Sequence, residues 1–387
     1  MSIYFDNAAT TVVRDEAADA VLRVMRENYG NPSSMHGMGR AACGELADAR
    51  KSVAEALGAK IGEVFFTSGG TEADNWAVFG SAGVLYRFGK HIITSKIEHS
   101  AVLEPIKKLE QEGWDVTYLD PDADGRIPVD SFAAGLRDDT VFASIMLVNN
   151  ETGAANRLAE FSSEIKRRRL RTVFHSDAVQ GFCKIPFTVK SLGVDLLSVS
   201  SHKLHGPMGA GALYIKESSK LHPLFFGGVQ ESKKRPGTEA LPAIAGFGVA
   251  ARLGKEELAE TAASVRELRE YVISGLGERL PELVVNGGGD SPFILNISLP
   301  GHKSEVLLNF LDSKGIYVTK GSACRKGLRS RVLEAMRLKN DIIDGALRVS
   351  FSRYSTTQEA DCFIEALELA SKTLMRSSRS VQLTVNS

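Results

Sequence analysis

From about residue 14 onward, the 387-residue chain alternates between two hydrophobic periods. Apolar residues recur at helical spacing over 15–29 and 41–57, which predicts amphipathic helices. Short apolar runs at 63–67, 91–94 and 116–119 read as strands. Between them fall a helix that opens at Ser68-Gly69-Gly70-Thr71-Glu72 and runs to about 86, and another over 102–111. Later runs at 141–148, 172–175, 196–199 and 212–215 are more apolar still, as strands buried on both faces are. Strands separated by helices predict an α/β fold whose sheet of seven strands is mostly parallel and sandwiched by helices.

The texture changes near residue 254. A charged helix is expected over 255–279, then a strand at 293–298, a helix at 303–314, and a strand at 317–319. A cysteine-bearing loop, a strand at 347–352 and a last helix over 358–373 follow. The chain is long for one core, so a large domain over 14–254 is expected. A smaller α+β domain would be built from 255–387 together with 1–13.

Charge narrows the function classes. With 47 basic and 47 acidic residues, net charge is zero, which argues against a dedicated nucleic-acid or anionic-membrane binder. No apolar run is long enough to span a bilayer, and the start of the chain carries no signal-peptide pattern. The four cysteines, Cys43, Cys183, Cys324 and Cys362, are scattered and form no CxxC pair. Neither a metal site nor a disulfide framework is expected, and a cytoplasmic location fits free thiols.

The chemistry gathers behind the strands. Ser198-Val199-Ser200-Ser201-His202-Lys203-Leu204-His205-Gly206-Pro207 ends an apolar run on a lysine followed by a Gly-Pro stop. A lysine held this way suits covalent attachment to pyridoxal 5'-phosphate (PLP), with Ser200 and His202 as phosphate donors. Gly70 and Thr71 open a helix directly after a strand, where backbone N–H groups bind anions. Asp177, past the strand at 172–175, is suited to keeping a pyridine nitrogen protonated, and Gln180 to donating to the ring oxygen. His99 is a candidate to stack on the ring and move protons, and Asn150 to bond the ring oxygen or the substrate. Each motif alone also reads as an ordinary cap or turn; their shared position after strands makes the pattern.

A second nucleophile lies in Gly321-Ser322-Ala323-Cys324-Arg325-Lys326-Gly327. Lys320, Arg325 and Lys326 around Cys324 favour its thiolate, and the flanking glycines would let the loop move. The other three cysteines are expected to be packing residues. Arg348 is the candidate for a substrate carboxylate, which a guanidinium grips with two parallel bonds; Arg353 is expected to be structural.

These stretches, with Tyr4-Phe5-Asp6-Asn7-Ala8-Ala9-Thr10-Thr11, Gly30-Asn31-Pro32-Ser33-Ser34 and Arg235-Pro236-Gly237-Thr238-Glu239, resemble cysteine desulfurases of the NifS/IscS type, within the class V aminotransferases of PLP fold type I. The Ser-x-His-Lys and Gly-Ser-Ala-Cys elements together carry the likeness, which extends from residue 4 to about 353. The resemblance implies PLP on Lys203, with His99, Asp177, Gln180 and Asn150 around its ring. It places Gly70, Thr71, Ser200 and His202 at the phosphate. It implies conversion of L-cysteine to L-alanine, Arg348 binding the substrate, and sulfur passing to Cys324 as a persulfide. A protein acceptor in iron–sulfur or another sulfur pathway would follow. It also implies a homodimer in which Thr238 reaches the neighbouring site. This chain departs from the family's usual pattern at Lys320, Arg325, Lys326, Pro236 and Met208. A selenocysteine lyase or another class V PLP enzyme is the alternative activity, and a non-catalytic sulfur carrier or scaffold the alternative class.

Overall fold

The computed structural model describes residues 2–321 and 329–376. The chain begins with β1 (Ile3–Tyr4), α1 (Asp15–Arg26) and α2 (Gly37–Leu57). There follow β2 (Val64–Thr67), α3 (Gly70–Leu85), β3 (His91–Ser95), α4 (Ser100–Gln111) and β4 (Asp115–Leu119). Next are α5 (Val129–Gly135), β5 (Thr140–Ser144), α6 (Leu158–Arg167), β6 (Val173–Asp177), α7 (Val189–Leu192), β7 (Leu196–Ser200) and β8 (Gly211–Ile215). Two long helices, α8 (Leu241–Glu256) and α9 (Leu258–Arg279), lead to β9 (Val284–Asn286) and β10 (Ile294–Ser298). The remainder is α10 (Ser304–Ser313), β11 (Ile316–Tyr317), α11 (Arg331–Ala335), α12 (Asn340–Asp344), β12 (Ala346–Ser350) and α13 (Thr357–Thr373).

The central sheet has seven strands in the order β2-β8-β7-β6-β5-β3-β4. All neighbours run parallel except β8, which is antiparallel to both β2 and β7. No crossover helix separates β7 from β8, so the chain can only return antiparallel. Strands β5, β7 and β8 are buried at every position, which is why their sequences read as unbroken apolar runs. Only the edge strand β4 keeps an exposed and half-exposed face.

The run expected as one strand over 141–148 divides. Regular pairing ends at Ser144, and residues 145–148 stay buried but irregular, with Leu147 N–H donating to Asp177 O at 2.9 Å. Helices α5, α6, α7 and α8 are not marked by the hydrophobic pattern. Helix α8 packs against α1 and α2, and its contact face is built from glycine and alanine. A Cβ on Gly248 would stand 2.5 Å from Ala49 Cα, so the close approach requires glycine.

A separate apolar cluster lies beyond the large sheet. β10 pairs antiparallel with β9 and β12, and β1 pairs parallel with β11. Phe5 meets Phe351 and Phe363 edge-on at 5.3 and 5.9 Å between centroids. Leu268, Val272, Leu307, Leu311 and Leu367 complete this cluster, so the first residues pack with the last hundred.

Candidate active site

The carboxyl ends of β6 and β7, the turn before α3, the start of α4 and the segment after β1 converge on one cavity of about 330 Å³. Ligand sites in open α/β sheets lie at such strand ends. Gly70, Thr71, His99, Asn150, Asp177, Gln180, Ser200, His202, Lys203 and Arg348, all singled out from sequence, line it. Thr238 does not; it is exposed on the segment before α8. Cys324 lies outside the described residues, as do Arg325 and Lys326. Gly321, three residues before Cys324, lines the cavity.

Lys203 closes a single 3-10 turn, Ser201–Lys203, directly after β7. Its Nζ donates to Ala8 O at 2.8 Å and also to Ala9 O. Burial, then the nearby Arg348 guanidinium, push the amine down to about 8, against the pull of Asp177 and Asp6. At pH 7 such an amine is neutral, and nucleophilic, about a tenth of the time, against well under about a thousandth for an ordinary lysine.

Asp177 ends β6, buried, and accepts from Val179 N–H at 2.9 Å. Behind it stands Asp74 of α3, 1% exposed, with one carboxylate oxygen lacking a hydrogen-bond partner. One oxygen of each and a ring nitrogen of His99 lie within 4.8 Å of one another. Burial raises both carboxyls, and each charge opposes the other. The Val179 N–H and the Lys203 ammonium work against burial at Asp177, whereas the Asp177 charge pushes Asp74 further up, so Asp177 is the readier of the two to ionise. His175, below them, is held neutral by burial, its pKa near 3, between Ser144 and Ser198.

His99 caps α4: its Nδ1 accepts from Ala101 N–H at 3.1 Å, so the neutral ring carries its proton on Nε2. The preceding Glu98 is fully buried. One oxygen accepts from Ser95 Oγ (2.6 Å) and Met146 N–H (2.9 Å), and the other has no partner. Burial pushes this carboxyl up to about 8, so it is protonated at neutral pH.

The turn into α3 is built for an anion. Ala73 N–H is bonded back to Gly69 O, leaving the amides of the first turn without partners in the helix. A Cβ on Gly70 would meet Val179 Cγ2 at 2.8 Å, so only glycine fits between this turn and the loop after β6. Glu72 accepts from Ser68 N–H at 2.8 Å and from Arg235 at 2.7 and 3.0 Å. His202 is bonded to Thr10 Oγ1 at 3.1 Å, and burial drives its pKa to about 4, leaving a neutral imidazole.

Arg348 on β12 is 4% exposed. Nη1 donates to Asn150 O (2.9 Å), Nη2 to Asp6 Oδ1 (2.7 Å), and buried Nε has no partner. Arg353 turns away and pairs with Glu257. Lys320 is paired with Glu305 at 2.8 Å. Cys183 behaves as expected for a packed thiol, its pKa pushed up to about 12 by burial. Cys43 differs from that expectation: it is exposed on α2.

Sequence reasoning passed over Asp74, Glu98 and Lys184. Only Lys184 carries a signal, an ionisable residue in the run Gly181-Phe182-Cys183-Lys184-Ile185 and four positions from Gln180; Asp74 and Glu98 sit in polar stretches that give none.

The chain belongs to the class V aminotransferase family, whose model matches residues 3–363. Its sheet, helices and solved neighbours are those of PLP fold type I. It is 42% identical over 370 residues to a protein named cysteine desulfurase IscS from Methanosarcina thermophila, covering 95% of this chain and 91% of that one. A cysteine desulfurase IscS from Dictyoglomus turgidum is 41% identical, covering 95% and 93%. The solved structure of a NifS-like protein superposes with a TM-score of 0.92 at 37% identity, covering 97% of this chain and all of that one.

Proposed function

We propose that this protein is a PLP-dependent cysteine desulfurase, turning L-cysteine into L-alanine and carrying the sulfur on Cys324 for a protein acceptor in iron–sulfur or related sulfur pathways. The observation that carries the reading is the convergence of Lys203, Asp177 and Arg348 on a cavity lined also by Gly321, just before Cys324. The residues fit the cofactor. The depressed Lys203 amine, the Asp177 carboxyl at the end of β6 and the glycine-opened turn at Gly70 match its aldehyde, ring nitrogen and phosphate. Gly70, Thr71, Ser200 and His202 would hold the phosphate, and His99, Asn150, Asp177 and Gln180 the ring.

Bound there, PLP supplies an electron sink that eases removal of the substrate's Cα proton and weakens its Cβ–S bond. The protein's own groups do the rest. Arg348, which lines the cavity, grips the substrate carboxylate with the N–H groups of its guanidinium that Asn150 O and Asp6 leave free. Lys203 or His99 moves the Cα proton; His99 presents Nε2, since Nδ1 is occupied. The Cys324 thiolate attacks the substrate sulfur as the C–S bond breaks. The bonding pair stays with carbon, which takes a proton to become alanine, and Cys324 keeps the sulfur as a persulfide.

The chain is further read as a large domain over 14–254 and a smaller one from 1–13 and 255–387. It is read as a homodimer whose exposed Thr238 reaches the neighbouring site, working in the cytoplasm. Among the described residues no helix is long and apolar enough to cross a membrane.

The test is product analysis with L-cysteine, and mass spectrometry of Cys324 for one added sulfur. With a dithiol added to reduce the persulfide, alanine in step with sulfide is expected. Cys324→Ser should keep PLP absorbance and lose the persulfide, and Lys203→Ala should lose the absorbance. Amino transfer to a keto acid without release of sulfur would sink the reading.

A further inference from the structure

A second buried lysine stands beside the first. After β6 the chain winds through helical turns, with Phe182 N–H bonded to Ala178 O and Lys184 N–H to Gly181 O, which brings Lys184 back over Gln180. Lys184 is 6% exposed and Gln180 5%. Lys184 Nζ donates to Gln180 Oε1 at 3.2 Å and lies 5.8 Å from the Phe293 ring centre. Among the described residues it has no carboxylate partner, which is a costly arrangement for a lysine and calls for a reason.

The reason lies in the hydrogen bonds around Gln180. Its amide has a donor on one side, Lys184, and an acceptor on the other, Ala8 O, 2.9 Å from Nε2. Only one of the amide's two orientations satisfies both. Turning it over would set Oε1 against the Ala8 carbonyl oxygen and Nε2 against the lysine. The same Ala8 O accepts from Lys203 Nζ at 2.8 Å. A three-link chain therefore runs from Lys184 through Gln180 and Ala8 to Lys203.

The geometry points to Lys184 as a positioning residue: it fixes which end of the Gln180 amide faces the cavity and, through the Ala8 carbonyl, where the Lys203 amine rests. Burial, then the charges of Lys203 and Arg348, lower Lys184 to about 7, below Lys203, so Lys184 is neutral where Lys203 titrates and acts on it through the hydrogen bonds. Without Lys184 the Gln180 amide keeps only its bond to Ala8 O, and the released Oε1 is free to move toward the Lys203 ammonium. That change favours the protonated Lys203. The catalytic consequence rests on Lys203 being the cofactor-bearing lysine; the positioning itself does not.

The experiment uses the full-length chain, freed of carbonyl cofactors with hydroxylamine. Pulsed reductive methylation across pH, read at Lys203 by mass spectrometry, reports the neutral fraction of that amine. In Lys184→Met, labelling near neutral pH should slow about 3- to 10-fold, since one unit of pKa is a tenfold change in neutral fraction. In Lys184→Arg, which keeps a donor toward Gln180 Oε1, it should stay within about twofold of the parent, a change worth a third of a pKa unit. A folded Lys184→Met labelled at the parent rate overturns the inference, even if its melting temperature falls. If Lys184→Met does not fold, Lys184→Arg decides: parent-like labelling supports the role, and slowed labelling of a folded protein overturns it. Added PLP gives a separate readout. A parent that develops no absorbance sinks the cofactor reading, while the labelling still judges Lys184.

Discussion

Glu72 holds Arg235 through both carboxylate oxygens, at 2.7 and 3.0 Å, and so ties the turn that opens α3 to the segment carrying Thr238. The same carboxylate accepts from Ser68 N–H, one residue before the glycine pair. One side chain thus braces the glycine turn and the exposed strip beside it.

Replacing Glu72 by Gln should weaken both attachments. Burial works against ionisation of Glu72, but Arg235 and the Ser68 bonds win, and its pKa lies below the ordinary value. Such a group stabilises the fold above the unfolded carboxyl pKa and loses that contribution as pH falls through its folded pKa. Glu72→Gln is expected to lower the melting temperature at pH 7, with the gap to the parent closing toward pH 3. Retention of PLP on dialysis should drop several-fold. A gap that persists unchanged in acid would contradict this account.

Lys203 sets a pH threshold. With its amine pushed to about 8, the rate of PLP capture by the apoprotein should climb as pH rises through that value and then level off. Stopped-flow absorbance across pH 6–10 measures it. A profile still rising near the ordinary lysine pKa of about 10.4 would mean that the amine is not depressed.

Glu98 titrates in the opposite sense from a paired carboxylate. Its folded pKa of about 8 exceeds the unfolded value, so the folded state holds a proton that the unfolded chain releases above about 4.3. Its contribution to stability is therefore complete at low pH and declines as pH rises toward 8. Glu98→Gln, which keeps the neutral shape, should flatten that decline in chemical denaturation at pH 5 and pH 8. Equal destabilisation at both values would be the contrary result.

Arg348 gives a specificity prediction. Lysine in its place keeps the charge but not the planar fork, and it strands Asn150 O or Asp6. Arg348→Lys is expected to raise KM for L-cysteine about 10- to 100-fold, the worth of one hydrogen bond to a charged group. The absorbance of bound PLP should change little. Steady-state kinetics beside a spectrum separates the two effects.

Much of the cavity was legible because β strands announce their ends. Lys203, Asp177, His99 and Gly70 all follow apolar runs, and the parallel sheet gathers such ends on one side. Asp74 and Glu98 were not legible. In sequence they look like surface acids, and only the packing of α3 and the approach of residues 145–148 bury them. Lys184 was hidden in the same way, in a run of small and apolar residues whose helical turns appear only in three dimensions. Helix α8 escaped because its contact face is glycine and alanine, which carry little hydrophobic signal however tightly they pack.

The pairing of β1 with β11 bears on how the molecule is made. Asp6 and Ala8 belong to the cavity wall, yet Asn7 Nδ2 and Ser350 O, 2.9 Å apart, are separated by 343 positions of chain. A ribosome therefore delivers one side of the pocket 343 positions ahead of its mate. Until β12 is made the Ala8 N–H lacks its Ser350 Oγ partner, 2.9 Å away, so any loading of Lys203 with PLP should follow the synthesis of that strand and not precede it.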